Sequence, residues 1–62
     1  MIRYIKDDGN YFYIVTDKGQ KCWGVKNRAV LVNTTATTWT IKRDNYVITY
    51  DENGNYVDQH FA

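Results

Sequence analysis

Every few residues this chain runs into a cluster of Gly, Asn and Asp, and between the clusters it is built largely from β-branched and aromatic residues. Asp7-Asp8-Gly9-Asn10 parts Ile2–Lys6 from Tyr11–Thr16, and Asp17-Lys18-Gly19 parts that run from Gln20–Lys26. Asp44-Asn45 separates Thr38–Arg43 from Tyr46–Tyr50, and Asp51-Glu52-Asn53-Gly54-Asn55 separates that run from Tyr56–Phe61. Gly and Asn tolerate the positive φ of tight hairpin bends, so each cluster predicts a reversal of the chain. Ala29–Val32 predicts a further strand, followed by a Thr-rich bridge over Asn33–Thr37.

Composition settles strand against helix. Val, Ile, Thr, Tyr, Phe and Trp make up 28 of the 62 residues, whereas Ala, Leu, Met and Glu together make up six. The first group suits a pleated, half-buried surface and the second suits a helix. Proline and serine are both absent, which argues against a linker or a disordered tail. The expected fold is all-β with little or no helix. It is a single domain over residues 1–62, either a small antiparallel meander or an SH3-like or OB-like barrel of five to seven short strands.

Alternation along the strands predicts their faces. Trp39 and Ile41 share one face of Thr38–Arg43, opposite Thr38, Thr40 and Lys42, the pattern of a strand with one wet side. In Tyr11–Thr16, Tyr11, Tyr13 and Val15 oppose Phe12 and Ile14; in Tyr46–Tyr50, Tyr46, Ile48 and Tyr50 oppose Val47 and Thr49. Strands apolar on both faces leave aromatic side chains outside a core this small.

The residues that carry chemistry are few. A serine nucleophile is absent, and Cys22 with His60, the lone cysteine and the lone histidine, is the one nucleophile–base pair to consider. His60 sits near the end of the chain and Cys22 beside Trp23 reads as a packed or inert thiol. The acid pairs Asp7-Asp8 and Asp51-Glu52 fall in exposed bends where nothing desolvates them. Asp51, Asn53 and Asn55 alternate like a calcium loop, yet the glycine stands at the fourth position and the twelfth is Ala62. No enzyme activity, cofactor or metal is therefore expected. Asn33-Thr34-Thr35 fits a glycosylation sequon but reads as a polar turn. One cysteine, no apolar leader in the first residues and no apolar run near membrane-span length point to a cytoplasmic, non-membrane setting.

Two binding surfaces remain. The net charge of +1 conceals six cations and no acid over residues 18–43, and four acids with no Lys or Arg over residues 44–62. Lys21, Trp23, Lys26, Arg28, Trp39, Lys42 and Arg43 interleave charge with indole, the arrangement by which small barrels stack single-stranded nucleic acid. Six tyrosines supply the other surface, with Tyr11, Tyr13, Tyr46 and Tyr50 as its contact residues. The favoured expectation is a non-catalytic protein-binding module, self-association included. It would act by stoichiometric binding in the manner of an accessory or inhibitor protein of a phage or mobile element. Nucleic-acid binding through the basic segment is the alternative.

Overall fold

The computed structural model describes residues 1–61 and contains seven strands. They are β1 (Ile2–Asp7), β2 (Tyr11–Thr16), β3 (Gly19–Val25), β4 (Val30–Thr34), β5 (Thr38–Arg43), β6 (Tyr46–Asp51) and β7 (Tyr56–Phe61). Each strand pairs antiparallel with its neighbour in sequence, in two sheets ordered β1-β2-β3 and β4-β5-β6-β7. Of the two forms expected, the open meander is the one that forms. The sheets meet where the Ile2 N–H donates to the Ala36 carbonyl at 2.7 Å, but no ladder joins them into a closed barrel.

The bends form where the sequence places them, and three carboxylates organise two of them. The Asp7 side chain accepts the Gly9 N–H, the Asp8 side chain accepts the N–H groups of Asn10 and Tyr11, and the Asp51 side chain accepts those of Asn53 and Asn55. Asp side chains that bond their own backbone in this way hold a turn that helix or sheet would otherwise contest. Threonine performs the task between β4 and β5, where Thr35 Oγ1 accepts the N–H groups of Thr37 and Thr38. The link between the sheets is a turn with positive φ at Asn27 and Arg28, closed by the Ala29 N–H on the Lys26 carbonyl at 2.9 Å. Ala29 thus belongs to that turn rather than to β4. The strand begins one residue later than its apolar run suggests and continues to Thr34, inside the Thr-rich bridge.

The core lies between the two sheets. Ile2, Ile5, Phe12 and Ile14 from the first sheet meet Trp39 and Ile41 from the second, with Ala29 beside them. Trp23, Leu31, Ile48 and Tyr50 pack around this cluster. Burying each of the large side chains stabilises the fold by roughly 1.5–3 kcal/mol, and the sheets dock because neither could cover its apolar face alone. In four of the five ladders the register slips by one residue, leaving Arg3, Trp23, Val32 and Val57 as extra residues. No described helix is long and apolar enough to cross a membrane.

Candidate protein-contact face

The placement of the two indoles decides what the basic segment can do. Trp39 is fully buried at the centre of the core, edge-on to Trp23 with ring centroids 5.0 Å apart and planes at 89°. Phe12 lies 5.8 Å from Trp39, and Tyr50 lies 5.1 Å from Trp39 and 4.7 Å from Trp23. Both indole N–H groups donate to main-chain carbonyls around the β6–β7 bend, Trp39 to Asp51 at 3.0 Å and Trp23 to Gly54 at 3.2 Å. Trp23 reaches this position through the β3 slip: Cys22 pairs with Tyr13 and Gly24 with Phe12, so the residue between them turns inward. An indole with no exposed face cannot stack a base. Trp39 is therefore corrected from a stacking platform to a core residue, and Trp23 is half-buried, packed against Tyr50, Phe12 and Trp39.

The cations of the same segment do not converge. Lys26 is taken up by Asp7, its Nζ 2.7 Å from the carboxylate, and lies over the Phe12 ring at 6.0 Å. Lys21 donates to the Asn53 carbonyl at 3.2 Å across the gap between the sheets. Arg28 stands exposed in the inter-sheet turn, and Lys42 projects from the outer face of the second sheet. Arg43 is half-buried, with its Nε–H facing no acceptor. Two of the cations are thus engaged within the fold, Lys26 by Asp7 and Lys21 by the Asn53 carbonyl, and the rest divide between the inter-sheet turn and the end of β5.

The tyrosines divide differently. Cross-strand partners share a face, so the outer face of the first sheet follows from its register. Tyr4 pairs with Val15, Lys6 with Tyr13, Tyr13 with Cys22, and Tyr11 with Val25. None of these contributes to the buried core, whereas the intervening Ile5, Phe12 and Ile14 are all buried. Tyr4, Tyr11 and Val25 are 53%, 41% and 60% exposed, and Tyr13 and Val15 are half-buried beside them. Lys6 Nζ lies 5.6 Å from the centre of the Tyr13 ring. Partial desolvation, with the Asp8 charge adding to it, raises the Tyr13 phenol above its ordinary pKa, so that hydroxyl is neutral at physiological pH. The result is a pleated surface of aromatic and aliphatic side chains, with Lys6 beside Tyr13 and with Gln20 and Cys22 opposite Val15 and Tyr13.

Tyr11 and Tyr13 thus lie together on an open face, as their alternation in the sequence indicates. Tyr50 does not join them. It faces inward against both indoles and is corrected from a contact residue to part of the core wall. Tyr46 lies at the far end of the second sheet, stacked on Phe61 at 5.0 Å. Tyr4 and Val25 are members of the face that sequence reasoning passed over. The signal for Tyr4 was its place between Ile2 and Ile5, but the slip at Arg3 breaks the simple alternation that would have exposed it.

Cys22 and His60 are on the outer faces of different sheets, paired with Tyr13 and Val47 respectively, so they make no dyad. Among the described residues no three metal-ligating side chains gather and no pocket opens. Comparison with protein-family models, curated proteins and solved structures finds no match.

Proposed function

We propose that this chain is a non-catalytic protein-binding module whose contact face is the outer surface of β1-β2-β3, with Tyr4, Tyr11, Tyr13 and Val25 at its centre. The observation that carries the reading is the exposure of these aromatic and aliphatic side chains side by side on a rigid sheet whose other face is already packed. Tyrosine supplies large contact area at little entropic cost and a hydroxyl that bonds at the rim. Lys6 beside Tyr13 favours a partner that brings a carboxylate to the edge of the contact. A module of this kind acts by occupying its partner's surface, in the manner of an accessory or inhibitor protein.

The test compares Tyr11→Ala and Tyr4→Ala with the unaltered chain in crosslinking and capture from the cell that makes it. Each variant is expected to keep its melting transition to within about 1 kcal/mol, as exposed positions do. Each should also lose recovery of the same specific protein. Equal recovery by variants and unaltered chain would remove this face from the function.

A further inference from the structure

β7 is a strand with no interior. All six of its residues are exposed, although five pairs hold it in register with β6, and no other strand in the fold lacks a buried or half-buried residue. Val57 is 51% and Phe61 72% exposed. Beyond β7 the second sheet offers an edge that no described residue pairs. Such an edge presents a row of free N–H and C=O groups, which proteins normally protect with lysine, a bulge or a cover. The first sheet follows that custom, since β3 carries Lys21 and its slip at Trp23 twists the edge. β1 and β4 lie against one another. β7 has neither Lys nor Arg, and its slip at Val57 falls at its start, so Asp58–Phe61 remains regular.

From this edge we infer that β7 pairs antiparallel with β7 of a second copy of the chain, about a two-fold axis at Gln59. The axis preserves the two faces of the sheet, so it must pass through a residue, and only a few positions are available. Centred on Asp58, the pairing would set that carboxylate against its own symmetry mate, which opposes association. Centred on Gln59, it sets Asp58 opposite His60 of the second copy, and Val57 opposite Phe61 of the second copy. By symmetry each match occurs twice. The carboxylate–imidazole pairs lie on the outer face, in line with Val47 and Thr49. Phe61 lies on the inner face, paired and stacked with Tyr46, and the exposed Val57 of the second copy, the bulge residue at the start of its β7, comes opposite it. One register therefore satisfies charge and apolar contact together, and two four-stranded sheets become one of eight. The contact is small, in the class below about 1,200 Å² that transient complexes occupy, and the association is reversible.

The test uses sedimentation equilibrium of the full chain over a concentration series reaching the millimolar range, with disulfide trapping beside it. The unaltered chain is expected to show a monomer–dimer equilibrium. His60→Asp sets four carboxylates together in two like-charge pairs and should weaken association about tenfold. Asp58→Lys combined with His60→Asp restores opposite charges and should recover it. For trapping, Gln59→Cys in a Cys22→Ala background places two thiols at the axis, within the Cα separation a disulfide spans. It should give a covalent dimer with diamide. Val57→Cys in the same background should not, because four residues along a strand separate the symmetry mates by roughly 13 Å. A chain that stays monomeric throughout overturns the inference. So does a dimer indifferent to the charge exchange, or one in which Val57→Cys traps as readily as Gln59→Cys. Val57, Asp58, Gln59 and His60 all lie outside the tyrosine face, and the equilibrium measurements leave Cys22 beside Tyr13 unaltered, so the two proposals fail separately.

Discussion

A Cβ at Gly54 would sit 2.9 Å from Cδ1 of Trp23, on a backbone with φ at +88°, while the carbonyl of the same residue accepts the Trp23 indole N–H. Gly54→Ala is therefore expected to lower stability by more than about 1 kcal/mol, through strain at a left-handed φ and through displacement of the indole. Gly24→Ala is its control. A Cβ there meets nothing within 4 Å and the backbone is extended, so the change should be neutral or stabilising by up to about 1 kcal/mol. Thermal melts of the two variants separate close packing from glycine content. At this scale the sequence tells part of the story. Trp39 alternates with threonine and its burial follows from that pattern. Trp23 is inward because of a register slip, which depends on how β3 lies against β2 and leaves no trace in a period of two.

Bends and strands are the level at which the sequence is most informative, because turn chemistry is local. The Gly, Asn and Asp clusters mark the bends; β2, β5 and β7 have the bounds expected, and the other strands differ by one or two residues at one end or both. The same clusters make the fold sensitive to acid. Hydrogen bonds from the Lys26 ammonium and the Gly9 N–H lower the Asp7 pKa; the N–H groups of Tyr11 and Asn10 lower that of Asp8, and those of Asn55 and Asn53 that of Asp51. A carboxyl whose pKa is depressed by folding stabilises the fold fully above its ordinary value, roughly pH 4, and loses that contribution as pH falls through the lowered one. Urea midpoints should thus hold steady from neutral pH downward and fall below about pH 4. Asp51→Asn should flatten that acid limb. An unchanged limb would mean that the bend carboxylates are not what acid attacks.

The whole molecule decides between the two binding surfaces, and here local pattern gives way to topology. The basic segment looks continuous along the chain, but folding engages Lys21 and Lys26 with groups of the protein itself and places Trp39 in the core. Fluorescence anisotropy with a random single-stranded oligonucleotide should consequently show no tight, steeply salt-dependent binding; a steep salt slope would reinstate a phosphate-binding track. The tyrosine face, in contrast, comes from one contiguous stretch of β2 and its immediate neighbours, which is why alternation alone finds part of it. The turn at Asn27 and Arg28 carries the chain from one sheet to the other. Every ladder joins strands adjacent in sequence, and none crosses this link. A chain cut there loses no strand pairing, only the turn's own Ala29–Lys26 hydrogen bond and the tether that keeps the halves at high effective concentration. Peptides 1–27 and 28–62 should therefore complement one another on mixing. Each carries one of the two tryptophans, so their reunion is visible as a change in indole emission without any label.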